Sequence, residues 1–226
     1  MAKIYQVFIG CPFRSEVRSK YEKLKEELEA ETPLHLVLAD TGELTSTNYL
    51  LEHITTLIKE SAGCVFDATA GNPNVSLEVG IAHALPVPFL LTISMRKPRT
   101  TAEKQAEKDA KEHGEIKAII SDLQGKNRIE YKAYPALKRQ VLERYISHLP
   151  YMKRWGQFKD NHKDMVPYAI QLFEQIRNSG RSQRPRLTAI LDGTGFPATE
   201  VADALVKAKL MVARRGPGGG YFYPEK

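Results

Sequence analysis

Short, continuously apolar runs alternate with longer amphipathic segments along the first 150 residues of the chain. The apolar runs are strand-sized and rich in β-branched residues, and turn residues such as Gly10 and Pro12 end the first of them. The runs span residues 4–9, 34–39, 63–66 and 87–93, and apolar residues at helical spacing cover 15–30, 48–61 and 75–85 between them. Because strands that are apolar on both faces must be covered by helices on both faces, this alternation predicts an α/β fold with a doubly wound parallel sheet.

The net charge of the chain is concentrated near its end. Residues 1–150 contain 20 Lys and Arg against 20 Asp and Glu, whereas residues 151–226 contain 13 against 7, so the formal charge of +6 arises in the last third. We therefore predict an α/β domain over 1–150, a basic and aromatic linker over 151–164, and a small second domain over 165–226. Two explanations of the basic end stay open, a polyanionic partner and a solvated surface without a partner.

Several classes of protein and site are disfavoured by what the sequence lacks. No apolar run approaches the ~20 residues that span a bilayer, and the N-terminus lacks the layout of a signal peptide. The two cysteines, Cys11 and Cys64, are too few for a disulfide scaffold and lack zinc-ligand spacing. Glycine-rich phosphate-binding motifs are also missing. We therefore expect a cytoplasmic protein without a membrane, a metal ion or a cofactor.

A polar segment after the third predicted strand carries the candidate chemistry. Asp67 ends that strand, Asn72 and Asn74 lie in the loop that follows, and Glu78 lies in the first turns of the next helix. Gly80, two residues later, is expected to let another segment or a ligand come close. Ligands of open α/β sheets bind at the carboxyl ends of the strands, which is where this segment lies. Taken alone, a Glu near a helix start more often complements the helix dipole than performs chemistry. The segment therefore predicts a ligand site, and the role of Glu78 stays open at this point.

Residues 66–85, together with residues 8–13, resemble the nucleoside 2-deoxyribosyltransferase-like group and its TIR-like relatives. The shared features are a strand ending in a Gly/Pro loop, a later strand ending in Asp, and an Asn-Pro-Asn-Val loop leading to Glu-x-Gly-x-Ala on a helix. The resemblance covers roughly residues 4–149 and implies N-glycosidase chemistry with Glu78 as the catalytic carboxylate. It also implies a set of substrate-binding residues, which are Gly10, Cys11, Pro12, Phe13, Asp67, Asn72 and Asn74.

The implied chemistry has a simple physical requirement. Breaking an N-glycosidic bond builds positive charge at C1′ of the sugar, and a carboxylate at ~3 Å stabilises that charge or captures it covalently. No second family carboxylate is identified near Asp40, so we expect hydrolysis rather than base transfer. Cys11 has no identifiable base and is expected to be a small buried residue, and His83 is expected to be structural.

The last 60 residues have the pattern of a winged helix-turn-helix. Three helical segments precede a glycine-tipped hairpin, and the third helix is predicted over 198–209. Basic residues before this helix, on it and in the wing are predicted to bind nucleic acid: Arg181, Arg184, Arg186, Lys207, Arg214 and Arg215. Acidic Glu200 and Asp203 on the helix argue against reading of bases, and protein association is the alternative.

The combination of the two predicted domains resembles the toxic effectors encoded beside bacterial retrons. That resemblance implies a toxin-like anti-phage hydrolase of NAD or another nucleotide, held by a reverse transcriptase and its RNA–DNA product. Two other functions stay open: a catalytically silent nucleotide sensor that regulates by binding DNA, and a stand-alone nucleoside deoxyribosyltransferase or hydrolase whose end mediates homo-oligomerisation. The charged segment 96–115, with almost no large apolar side chain, is predicted to be a lid or a partner-binding insertion.

Overall fold

Five parallel strands form the centre of the fold in a computed structural model of the chain. The structure describes residues 3–39, 47–69, 72–95, 128–179, 199–214 and 219–224, with isolated positions between 101 and 108. The strands are β1 (Lys3–Gly10), β2 (His35–Leu38), β3 (Ser61–Asp67), β4 (Phe89–Ser94) and β5 (Arg128–Tyr131), in the order β2-β1-β3-β4-β5. The predicted α/β class with a parallel sheet is confirmed.

Helices cover both faces of the sheet. They are α1 (Ser15–Glu31), α2 (Thr47–Glu60), α3 (Pro73–Ala84) and α4 (Tyr134–Arg144). Ile9 and Val65 share a core with Tyr21 of α1, whereas Phe8 and Phe66 share a second core with α2 and α3. Successive side chains of a strand point to opposite faces, so the two cores follow directly from this alternation.

The strand order changes direction at β1 and β3. The chain passes from β1 outward to β2 and then returns across β1 to β3, so the connections that leave the ends of β1 and β3 diverge. In sheets of this kind that divergence opens a crevice outside the carboxyl ends of the two strands. Gly10 and Asp67 occupy those two ends.

The remaining described elements follow α4. They are a 3₁₀ turn (Ile146–His148), α5 (Pro150–Asn161), a second 3₁₀ turn (Lys163–Met165), α6 (Val166–Ser179), α7 (Glu200–Lys207), and the antiparallel pair β6 (Val212–Arg214) and β7 (Gly220–Phe222). The third helix and the hairpin predicted for the small domain correspond to α7 and β6–β7. Residues 180–198, which include the predicted helix 187–191, lie outside the described residues, so the winged helix as a whole stays a prediction. The charged segment 96–115 lies almost entirely outside them as well.

The segment predicted as a basic linker is mostly a buried helix, which corrects that prediction. Tyr151, Trp155 and Phe158 recur at helical spacing on one face of α5, and all three are buried. Lys153 and Lys159 of the same helix are exposed. The basic residues form the solvated face of the helix, and the aromatic residues form a stripe that anchors it in the core.

The C-terminal elements pack directly against β1 and α1. The ring of Tyr5 on β1 stacks on that of Tyr223, with centroids 3.8 Å apart. Arg177 of α6 donates hydrogen bonds to the carbonyl oxygens of Glu29 and Leu34, at 2.9 and 3.2 Å. One continuous apolar core therefore crosses the predicted domain boundaries, although the boundaries themselves stay a prediction. Among the described residues, no helix combines the length and apolar character that crossing a membrane requires.

Candidate active site

Glu78 is placed by the way α3 begins. Asn72 caps the helix, and its side-chain oxygen accepts the backbone N–H groups of Asn74 and Val75 at 3.0 and 3.2 Å. Pro73 then occupies the first helical position, where a missing N–H costs nothing. This capped start fixes the helix above the carboxyl edge of the sheet and turns Glu78 toward it, with 5% of the residue exposed.

The carboxylate of Glu78 lies over Gly10, the last residue of β1. A Cβ atom at Gly10 would lie 2.1 Å from Oε2 of Glu78 and 2.5 Å from the ring of Phe66. No residue with a side chain fits in that space without displacing one of them, so glycine is required for the close approach. The Gly10 loop and the Glu78 helix, which the resemblance grouped by sequence, meet in space.

The buried oxygen of Glu78 lacks a partner. Among the described residues, nothing hydrogen-bonds Oε2, although it is fully shielded from solvent. A buried carboxyl oxygen in this condition is costly, and native structures rarely keep one without a functional reason. The cost shows in the pKa of Glu78, which burial alone raises from 4.5 to about 8. A cationic centre placed beside this carboxyl would favour its ionised form.

Asp67 reaches the same edge of the sheet on the opposite face. It shares the face of Val65, which packs toward α1, and only 1% of the residue is exposed. Its Oδ1 accepts the backbone N–H of Thr69 at 2.8 Å. Burial raises the pKa of Asp67, and hydrogen bonding by Thr69 opposes that shift. Asp67 and Glu78 thus lie at the same edge of the sheet. Asp67 accepts a hydrogen bond, whereas Oε2 of Glu78 accepts none from the described residues.

The loop after β1 lies between these two carboxyl groups. Cys11 is partly buried, and burial, followed by the charge of Asp67, raises the pKa of its thiol to about 12. A thiol with such a pKa stays protonated, as expected for a residue that is not a nucleophile. Pro12 is buried, and Phe13 is exposed with the Arg18 guanidinium 5.6 Å from its ring centroid.

The other predicted residues of this segment have mixed positions. The side-chain oxygen of Asn72 is used by the helix cap, and Asn74 is exposed in the first turn of α3. Their predicted contacts with the sugar stay predictions, as do those of the Gly10–Phe13 loop. His83 and Gly80 are exposed, and a Cβ atom at Gly80 would meet no described atom within 4 Å. Gly80 was expected to permit a close approach, and the described residues supply none.

Sequence reasoning missed the hydroxyl groups that surround Asp67. Tyr21 of α1 and Thr92 of β4 are buried, and their hydroxyl oxygens lie 2.5 Å apart. Thr92 also donates to the carbonyl oxygen of Phe66 at 3.2 Å, and a hydrogen bond between Tyr21 and Asp67 opposes the rise in the pKa of Asp67. One signal was available, since Thr92 is a polar residue inside the apolar run 87–93. Tyr21 carried none, because it fits the apolar stripe of its helix.

The predicted nucleic-acid residues are described only in part. Lys207 is exposed in the last turn of α7, and Arg214 is exposed on β6 with its guanidinium 5.0 Å from the ring centroid of Phe222. Arg181, Arg184, Arg186 and Arg215 lie outside the described residues. A cavity of about 650 Å³ lies between α5 and α7, away from Glu78, with both basic and acidic side chains in its lining.

Metal binding finds no support in the described part of the chain. No group of three His, Cys, Asp or Glu side chains there is arranged to hold an ion.

Comparisons with known proteins give distant similarities. No protein-family model matches the chain, and no curated protein matches its sequence. A conserved protein from Enterococcus faecalis superposes with a TM-score of 0.44 at 14% identity, covering 62% of this chain and 98% of that one. A 2-desoxiribosyltransferase from Leishmania mexicana gives 0.36 at 16% identity, covering 44% and 69%. The TIR domains of the activated Roq1 resistosome give 0.46 at 11% identity, covering 62% and 98%. The function proposed below therefore rests on the geometry around Glu78.

Proposed function

We propose that the chain is an N-glycosidase that hydrolyses the N-glycosidic bond of NAD or another nucleotide or nucleoside. One observation carries the proposal: Glu78 is buried over Gly10 with an oxygen that no described residue satisfies. A structural carboxylate would be paired or exposed, whereas a carboxylate that stabilises a developing cation must be kept free for it.

The reaction separates a base from a sugar. As the bond between C1′ and the nitrogen breaks, the electron pair leaves with the base and C1′ becomes cationic. The Glu78 carboxylate stabilises that cation or bonds to it, and water then attacks C1′ and releases a proton to solvent or to the base. Burial raises the pKa of Glu78 to about 8, so the positive charge of the substrate or transition state favours the ionised form that this step uses.

The nature of the leaving group favours a pyridinium nucleotide among the candidates. The nicotinamide of NAD departs as a neutral base and needs no proton from the enzyme. The other buried acid at this edge, Asp67, lies on the far face of the sheet. Among the described residues, Glu78 is the one carboxyl group buried on the α2 and α3 face, and such a site suits a substrate that requires no general acid.

The test measures base release by the purified chain. NAD and a panel of nucleosides are incubated with wild type, with Glu78→Gln, and with Glu52→Gln as a matched control at an exposed position of α2. We expect wild type and Glu52→Gln to release a base, and Glu78→Gln to be at least about 1,000-fold slower. Turnover by a folded Glu78→Gln would contradict the assignment. Binding without cleavage by every form would favour the silent sensor, and transfer to an added base would favour the deoxyribosyltransferase.

We also propose a retron-type role in anti-phage defence, in which a reverse transcriptase and its RNA–DNA product restrain the activity. The basic C-terminal end and the N-glycosidase site together motivate this proposal. Expression of wild type alone should arrest bacterial growth, and Glu78→Gln should not. Co-expression with a retron reverse transcriptase and its RNA should relieve the arrest by wild type. Equal toxicity of both forms would contradict the role.

We propose that the C-terminal elements bind nucleic acid through the exposed cations Lys207 and Arg214. Each phosphate that a cation neutralises releases counterions, so log K should fall with log salt by ~0.9 per contact on B-form DNA. The full-length chain is used, because its core continues into β1. Arg214→Ala combined with Arg215→Ala should reduce the slope by about two, and Lys59→Ala on α2 serves as the control. Salt-independent binding, or none, would assign these elements to protein association.

A further inference from the structure

Hydrogen bonds with two other elements, β4 and α1, hold the end of β3 in place. Ala68 donates its N–H to the carbonyl oxygen of Thr92 at 2.9 Å, which extends the pairing of β3 and β4 by one residue. The Oγ1 of Thr69 accepts the N–H of Ser94 at 2.9 Å. The chain that leaves β3 is therefore attached to β4 at two successive residues.

The side chain of Asp67 adds a further hydrogen bond to this attachment. Its Oδ1 accepts the N–H of Thr69 at 2.8 Å, and this bond closes a turn directly after the strand. On the same face, the hydroxyl groups of Tyr21 of α1 and Thr92 are hydrogen-bonded to each other, and Thr92 donates to the carbonyl oxygen of Phe66. These four side chains, Asp67, Thr69, Thr92 and Tyr21, are called the Asp67 cluster.

The Asp67 cluster lies shortly before the start of α3 along the chain. Asn72, the cap of α3, comes five positions after Asp67, and Glu78 follows six positions later. The ring of Phe66 also contacts the space over Gly10 in which the Glu78 carboxylate lies. A shift at the end of β3 would thus move both the Phe66 ring and α3, which carries Glu78.

Asp67 and Glu78 lie on opposite faces of the sheet. Asp67 shares the face of Val65, which packs against α1, whereas the Glu78 carboxyl group lies over Gly10 on the α2 and α3 face. A sugar or base held at Glu78 would have the sheet between itself and the Asp67 carboxyl group. The sequence resemblance assigns Asp67 to substrate binding, and the geometry favours a different role.

We propose that Asp67 is a positioning residue, which holds the β3–α3 connection through Thr69 and thereby places Glu78, without contacting the substrate. This inference rests on the proposed function for its kinetic consequence, and its structural consequence can be measured without any activity. What the role needs from residue 67 is a hydrogen-bond acceptor for the Thr69 N–H, not a negative charge.

The experiment compares Asp67→Asn, which keeps a side-chain oxygen, with Asp67→Ala, which removes it. Tyr145→Phe is the matched control, because the Tyr145 hydroxyl bridges the Cys64 N–H and the Pro88 carbonyl oxygen toward the opposite end of the same strands, at 3.0 and 2.6 Å. Hydrogen exchange by mass spectrometry is measured over residues 66–77, and kcat and KM are measured on the substrate that wild type cleaves.

We expect Asp67→Ala to exchange at least about tenfold faster over residues 66–77 and to lose at least about tenfold in kcat, with KM within about threefold of wild type. Asp67→Asn should restore both the protection and most of kcat. Tyr145→Phe should lower the Tm without either change. A rise in KM in Asp67→Asn with kcat unchanged would overturn the proposal in favour of substrate contact. Unchanged exchange in Asp67→Ala would overturn it as well, and it would do so even if the proposed activity failed for every form.

Discussion

The two faces of the sheet treat a buried carboxyl group in opposite ways. On the α1 face, Asp67 lies among hydrogen-bonding groups and accepts the Thr69 N–H. On the α2 and α3 face, Glu78 is buried over Gly10 with an oxygen that no described residue satisfies. Burial raises the pKa of both groups, and only around Asp67 do hydrogen bonds oppose the shift. This difference is the basis for proposing a structural role for Asp67 and a ligand-binding role for Glu78.

This contrast has a thermodynamic meaning. A carboxyl group that is buried without partners lowers the stability of the folded chain, because folding moves it out of water and provides no hydrogen bond or ion pair in place of the lost hydration. Such a cost is typical of sites where binding or catalysis depends on a strained or unsatisfied group. Variants at each face should therefore change stability and function in different combinations.

The largest effect is expected for Glu78→Gln, which should increase stability while it removes activity. The pKa of Glu78 is about 8 in the folded chain against an ordinary 4.5, so the folded state retains a proton that the unfolded state has lost. The stability of wild type should therefore fall as the pH rises from about 4.5 to about 8. Glu78→Gln lacks this dependence, and at pH 8 it should be more stable by up to roughly 4 kcal/mol, at about 1.4 kcal/mol per pKa unit.

The measurement is a series of Tm values for both forms between pH 5 and pH 9. A difference in Tm that stays constant across the series would show that Glu78 ionises normally, and the contrast between the two faces would then disappear.

Gly10→Ala should damage the Glu78 face next most severely. The added Cβ would lie 2.1 Å from the Glu78 carboxylate and 2.5 Å from Phe66, so one of them must move. We expect a loss of about 2–3 kcal/mol in the free energy of unfolding, as for other overpacked cores. Base release should fall by about 100-fold, because the carboxylate is displaced from C1′. Denaturant unfolding and kcat measure the two effects, and wild-type kcat in this variant would remove Glu78 from the site.

Tyr21→Phe tests the satisfied face. The variant loses the hydroxyl that is hydrogen-bonded to Thr92 but keeps the ring in the core, so the cost should be about 1 kcal/mol in the free energy of unfolding. The Thr92–Phe66 bond remains, and kcat should fall only a few-fold. Unfolding by urea and steady-state kinetics provide the measurement. A loss of activity as large as that of Gly10→Ala would show that the α1 face takes part in the reaction.

Gly80→Ala should give the smallest change, and a favourable one. Gly80 is exposed inside α3, and a Cβ atom there would meet no described atom within 4 Å. Alanine in a helix interior is favoured over glycine by about 0.5–1 kcal/mol, so the Tm should rise while kcat stays near that of wild type. A fall in kcat would indicate that a substrate approaches this turn, as the sequence interpretation expected.

The linker prediction shows where sequence reasoning failed. Residues 151–164 are basic and aromatic and were predicted to be a linker. Instead, Trp155 is fully buried and anchors α5 in the core shared with β1. Long basic side chains can lie on the surface of a helix whose other face is buried, so charge alone does not indicate a flexible connection. The spacing of Tyr151, Trp155 and Phe158 was visible in the sequence and would have corrected the interpretation.

The order of strands and helices in the first 95 residues was determined by the sequence alone, because continuous apolar runs and amphipathic stripes depend only on local spacing. The same local patterns placed Asp67 and Glu78 near one edge of the sheet. Which face each of them occupies was decided only by the tertiary structure. Strands that are buried on both faces are apolar at every position, so their pattern does not show which helices cover which set of alternate side chains. The strand order β2-β1-β3-β4-β5 brings Gly10 beneath Glu78. This contact between distant segments buries the Glu78 carboxyl group where no described residue satisfies its Oε2, whereas Asp67 accepts the Thr69 N–H.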